Sequence, residues 1–207
     1  MSEAMTMHPP ETLEPAESPL TPDSWGKLGM WVFLAGDAAG FGVLLASYGA
    51  IRVSSTDWPV PSQHFGIQLT AFMTFLLICS SVTMVKSLEA IKAEARGRMK
   101  LFLFLTVLGG AAFLGLQVHE WTQLIENGLK VYGNPWGSTL FGATFFVITG
   151  FHGLHVTGGV IYLTCILVHV SRSQDMARNY KLAEIAGLYW HFVDLVWIMV
   201  FTFIYLL

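Results

Sequence analysis

Apolar residues run through this chain in five long stretches, over residues 27–51, 66–88, 100–124, 139–171 and 182–207. A helix needs about 20 residues to cross the hydrocarbon layer of a bilayer, and each stretch supplies that. Lipid offers no partner to a free backbone N–H or C=O, so helices are the expected form of each span. The fourth stretch is longer than a crossing requires, which predicts tilt or an extension into water. Turn-like breaks separate the spans. Residues 52–65 contain Trp58-Pro59 and Pro61, residues 89–98 are short and charged, and residues 126–138 contain Asn127-Gly128 and Gly133-Asn134-Pro135. No internal repeat of the kind found in inverted-repeat transporters is visible. The pattern predicts an all-α, polytopic transmembrane bundle of five spans over residues 25–207.

Composition sharpens this reading. The 207 residues are 54% hydrophobic and only 12% charged, and the mean hydropathy is +0.57. A soluble domain carries about 25% charged residues. Half that share cannot cover a water-facing surface, which argues against a soluble enzyme, a disordered protein or a nucleic-acid binder. Residues 1–24 differ from the rest. They hold five acids (Glu3, Glu11, Glu14, Glu17 and Asp23), no Lys or Arg, and five of the eight prolines. Such a stretch cannot bury a core and is expected to be a flexible tail. With neither a basic start nor an apolar run, it does not read as a signal peptide.

Charge predicts the orientation. The side that holds the tail also holds Lys27, Lys86, Lys92, Arg96, Arg98, Lys100, Arg172, Arg178 and Lys181, against Arg52 and Lys130 on the other. Basic residues stay on the cytoplasmic side, so the N terminus is expected inside and the C terminus outside. Trp25 then belongs to the inner aromatic belt, and Trp58, Trp121, Trp136 and Tyr205 to the outer one. The basic rim can also attract anionic lipid. Cys79 and Cys165 both lie in apolar stretches and read as small buried side chains, with no disulfide or metal spacing.

Ionisable groups at membrane depth are costly and face protein or water. Asp37 falls about 15 Å into the first span. His152 and His155 fall at mid-depth in the fourth span, and His191 and Asp194 in the fifth. Each of these pairs is three residues apart and shares a helix face. Glu120 lies toward the outer end of the third span, where it reads as an interfacial carboxylate, and Glu184 near the inner start of the fifth. His8, His64 and His119 are expected to be solvated or interfacial. Gly150, Gly153, Gly158 and Gly159, and Gly36 with Gly40 beside Asp37, allow close helix approach. A buried polar cluster between packed helices follows, with Asp37 bonded to His155, His191 or a backbone group, and with structure or proton traffic as its role. His155 and His169, fourteen residues apart, have the spacing of a two-haem ladder, but His191 lacks the matching partner. A di-iron site would need Glu-x-x-His pairs, which the sequence lacks.

Three segments carry a resemblance: Gly150–Val156 (GFHGLHV), Leu188–Trp197 (LYWHFVDLVW) and Phe113–Trp121 (FLGLQVHEW). They resemble subunit III of the haem–copper terminal oxidases, and Trp31–Tyr48 resembles the acid-bearing first helix of its five-helix bacterial form. The resemblance covers essentially everything after the tail. It implies a non-catalytic subunit of a respiratory complex that reduces dioxygen to water and pumps protons. This chain would carry no cofactor, with haem and copper in the partner subunits and phospholipid bound to the bundle.

The implied partners are oxidase subunits I and II, with a small subunit IV also considered, in a bacterial plasma membrane. The implied role is to stabilise subunit I, bind lipid and support proton uptake. Asp37 matches the family's intramembrane acid, and Glu120, His152, His155, His191 and Asp194 match its acids and histidines. His169 stands where some members place a lipid-phosphate Arg, and Arg172 can substitute for it. Asp37 resembles the quinol-fed branch. Phe151 and Tyr189-Trp190 resemble the cytochrome c-fed branch, which is the expected one. A reading of another class is a stand-alone membrane transporter or proton channel using the same polar cluster.

Overall fold

The computed structural model describes residues 25–61, 65–173 and 175–207. The expected tail over residues 1–24, with His8, and the expected interfacial His64 lie outside the described residues. Five membrane-length helices occur among the described residues. They are α1 (Trp25–Ser54), α2 (Ile67–Lys92), α3 (Arg96–Glu126), α4 (Thr139–Arg172) and α5 (Met176–Val200), and α5 runs on as a π-helical turn over Phe201–Leu206. The longest, α4, has 34 residues. That is about 51 Å of helix, well beyond a hydrocarbon layer of about 30 Å.

The helix ends explain the breaks. At the end of α3 the N–H of Gly128 bonds the Ile125 carbonyl and that of Leu129 bonds the Leu124 carbonyl. This is the Schellman closure, and Gly128 supplies the left-handed residue it needs at φ 94°. The same closure ends α2, through Glu94 to Ile91 and Ala95 to Ala90. There Glu94 takes the left-handed place at φ 54°, where a side chain is strained. Asp175 caps α5 by accepting the Arg178 N–H at 3.0 Å.

The inward faces repeat at alternating three- and four-residue steps, the spacing of a coiled-coil seam. In α2 the buried positions include Thr70, Met73, Leu77, Ser80, Met84 and Ser87. In α3 they include Leu103, Thr106, Gly110, Phe113, Gln117 and Glu120. These stripes mix polar and small residues with apolar ones, while the outward faces are mostly apolar along the middle of each span, with polar residues such as Lys86 and His119 toward the ends. The centre is a wedge formed by Trp190 of α5. Its ring lies where side chains at Gly110 and Gly159 would stand, and a Cβ on Gly159 would come 2.9 Å from it. Its indole N–H donates to Ser80 Oγ at 2.8 Å. One residue therefore ties α5 to α2, α3 and α4, and it fits only because the two facing residues are glycines.

In contrast, α1 is peripheral. Its buried residues are Leu34, Phe41 and Tyr48, one every seven positions, and it packs mainly on α5 and α4. Among the described residues, three polar side-chain contacts fasten it to the other helices. Lys27 pairs with Glu184 at 3.0 Å at one end, Asp37 pairs with His155 at 3.1 Å in the middle, and Arg52 donates to the Leu207 carbonyl at the other end.

Two expectations fail here. Cys79 and Cys165 are exposed, on outward faces where a small thiol meets lipid as readily as core. Tyr205 is fully buried and is not part of an interfacial belt. The π-helical turn adds a residue to the last turn, so Ile204 and Tyr205 both face inward.

Candidate functional site

The residues singled out in the sequence do not converge on one cluster. They form separate interhelical contacts at successive depths. At mid-depth, His155 Nδ1 lies 2.8 Å from the Phe151 carbonyl, which can only accept, so Nδ1 carries a hydrogen. Its Nε2 lies 3.1 Å from Asp37 Oδ2. One proton must sit in that second contact, either on the imidazole facing a carboxylate or on a carboxyl facing a neutral ring. The pair thus holds a transferable proton between α1 and α4. Tyr189 of α5 closes the group by donating its hydroxyl to the His155 carbonyl at 2.8 Å.

Asp194 takes part in a different contact. Ser81 of α2 donates to its Oδ2 at 2.7 Å. His191, on the same face of α5, is half-buried and lines a hollow between α1 and α5 with Trp31, Leu34 and Ala38. The two mid-depth histidine faces therefore do not merge. His152 is fully buried in an aromatic box. Its ring is 5.0 Å from Trp197, 5.8 Å from Phe113 and 6.4 Å from Phe41.

Glu120 corrects an expectation. It is 3% exposed, not interfacial, because α3 presents it on the inward stripe. Thr70 Oγ1 donates to its Oε1 at 2.8 Å, and the Tyr205 hydroxyl donates to its Oε2 at 3.0 Å. One carboxylate so joins α3, α2 and the π-helical turn. Its neighbour His119 is exposed on the outward side. Sequence reading missed the partners on α2. Ser80, Ser81, Thr70 and Thr74 all serve α3 or α5, and Thr74 accepts the Trp197 indole N–H at 2.9 Å. The available signal was the Ser/Thr stripe at helical spacing along an otherwise apolar span.

His169 and Arg172 share a hollow of about 430 Å³ at the basic end of α4, with Cys165, Val168 and Ser173. Among the described residues no group of His, Cys, Asp and Glu is arranged to hold a metal.

The family described as Cytochrome c oxidase subunit III matches residues 28–207. The chain is 33% identical over 180 residues to the cytochrome c oxidase subunit 3 of Bacillus subtilis (strain 168), covering 87% of this chain and 85% of that one. It is 31% identical to the cytochrome c oxidase subunit 3 of Bacillus sp. (strain PS3), covering 97% and 98% of the two chains. It is also 31% identical to the quinol oxidase subunit 3 of Bacillus subtilis (strain 168), covering 87% and 86%. A match across the whole bundle, and over the very segments that carry its buried acids and histidines, places this chain in the subunit III family of the haem–copper oxidases.

Proposed function

We propose that the chain is the non-catalytic subunit III of a bacterial respiratory oxidase that reduces dioxygen to water and pumps protons. It sits in the plasma membrane with its N terminus inside. Haem and copper lie in subunits I and II, and this chain braces subunit I, retains lipid and supports proton uptake. One observation carries the reading. Asp37, Glu120 and Asp194 each accept or share a hydrogen bond from a different helix, so the membrane-depth acids act as braces of a rigid bundle. Within it, Asp37 and His155 are the groups suited to handling a proton, because their contact stores one and both side chains are slightly open, 18% and 13% exposed.

Cytochrome c is the donor we assign to the partner subunits, on the resemblance of Phe151 and Tyr189-Trp190. The shorter acid Asp37 favours a second reading, a quinol-fed complex. The test is to purify the tagged chain in mild detergent and record a reduced-minus-oxidised spectrum. Haem absorbance that tracks a larger co-purifying chain is expected. Oxidation of reduced cytochrome c by the eluate supports the first donor, and oxidation of quinol alone the second. A colourless, partner-free chain would overturn both and favour a transporter or proton channel.

A further inference from the structure

The starts of α1, α3 and α5 and the ends of α2 and α4 meet at one end of the bundle. Lys92 stands over the Tyr180 ring, 5.2 Å from its centre, Lys100 reaches the Ser171 carbonyl at 3.5 Å, and Lys27 pairs with Glu184 at 3.0 Å. The nine bases of this end are matched by four acids among the described residues, Glu89, Glu94, Asp175 and Glu184. Nine against four leaves a surplus of five positive side chains. The local acids are also partly spent, since Asp175 caps α5 and Glu184 holds Lys27. Lys92 and Arg98 at the α2–α3 turn, and Arg178 and Lys181 at the start of α5, are exposed.

The sequence supplies the complement at the same end. Residues 1–24 join α1 at Trp25 and hold five acids and no Lys or Arg, which equals the surplus. Their order matters as much as their number. Glu11, Glu14, Glu17 and Asp23 stand at multiples of three residues, with Leu20 at the remaining step, and prolines are interspersed at Pro15, Pro19 and Pro22. A polyproline helix has three residues per turn and rises about 3.1 Å per residue. In that form the four acids share one edge, with successive glutamates about 9 Å apart. Packed helices stand about 8–10 Å apart, so the acid repeat matches the repeat of helix ends. From Trp25 to Glu14 is about 34 Å at that rise. That reach crosses α5, on which α1 packs, to α2 on its far side. We propose that residues 11–23 lie as a polyproline strand across the basic end of the bundle, with Glu11, Glu14 and Glu17 facing Lys92, Arg98, Arg178 and Lys181. The tether holds the acids near these bases at high effective concentration, so pairs that are weak singly act together. The strand cancels the surplus charge and competes with any other anionic surface for the same bases.

The test places photoreactive p-benzoylphenylalanine at Leu13 of the full chain, in the purified complex in nanodiscs containing phosphatidylglycerol. Cross-links are mapped by mass spectrometry. Labelling of peptides spanning 86–100 and 178–184 of the same chain is expected. Glu11→Gln, Glu14→Gln and Glu17→Gln together are expected to lower that yield about tenfold, the combined effect of three exposed ion pairs. Lys92→Gln with Lys181→Gln, behind an unchanged tail, is expected to lower it about fivefold. A similar loss is expected in about 1 M salt, where the screening length falls to about 3 Å. All five positions lie outside the packed core, so these variants test charge and not folding. Yields indifferent to the variants and to salt would overturn the proposal. So would cross-links that fall on phosphatidylglycerol, which would put the acids at the membrane surface, or on another subunit. The proposal rests on the charges of this chain alone, so its failure leaves the haem-tracking result intact.

Discussion

A single proton in the His155–Asp37 contact makes each partner dependent on the other. Removing one leaves a polar group facing a space that lipid cannot satisfy. Asp37→Ala is expected to cost about 2 kcal/mol, seen as a fall of about 4–8 °C in the thermal unfolding of the complex in detergent. Joint replacement of Asp37 and His155 by Leu should recover much of that loss, because an apolar pair removes both demands. A double variant as unstable as the sum of its singles would show that the two do not act as a pair. Glu120 and Tyr205 form a second pair, which a double-mutant cycle with Glu120→Gln and Tyr205→Phe should resolve as a coupling of about 1 kcal/mol. At this scale the sequence was partly legible. Membrane depth marked Asp37, His155 and Asp194 as inward groups, and i,i+3 spacing put His152 with His155 and His191 with Asp194 on shared faces, whereas Glu120 read as interfacial. His155 was among the partners expected for Asp37, but those of Asp194 and Glu120 were not legible, because Ser81 and Thr70 are ordinary residues whose meaning depends on which helix stands opposite.

Helices in this bundle announce themselves by length and apolarity, and their existence and order could be read before any coordinates. Their inward faces could not be read from apolarity, because a span surrounded by lipid is apolar on every side. The stripe is marked instead by what lipid would reject or leave empty: Thr70, Ser80 and Ser87 on α2, and Gly110, Gln117 and Glu120 on α3. Cys79 and Cys165 were misplaced for the same reason. A Cβ at Gly110 would collide with Trp190, so Gly110→Ala is expected to cost about 1–3 kcal/mol as an overpacked contact. A Cβ at Gly36 meets open space, so Gly36→Ala should stay within about 0.5 kcal/mol. Thermal unfolding of the two variants side by side checks the contrast, and equal shifts would refute the wedge. At the end of α2, Glu94→Gly should relieve the left-handed strain and stabilise by about 1 kcal/mol.

The whole molecule is a rigid core of α2–α5 with α1 laid along one side. The charge asymmetry that predicts its orientation lies at the ends of the bundle, and cysteine labelling tests it directly. A thiol placed at Glu94 should react with an impermeant maleimide only in inverted vesicles, and one placed at Tyr132 only from outside whole cells or spheroplasts. The opposite pattern would reverse the topology. The three fasteners of α1 also set a timetable. They join residues separated by 157, 118 and 155 positions, and in each case α1 provides the earlier member. At a synthesis rate of about 5–20 residues per second, Asp37 waits about 6–24 s before His155 has been made. During that interval the first helix stands in the bilayer with an unmatched acid. The biogenesis machinery, or an early-arriving neighbour, must shelter this nascent segment until the fourth helix emerges, so a ribosome stalled before α4 should leave α1 the preferred target of membrane quality-control proteases.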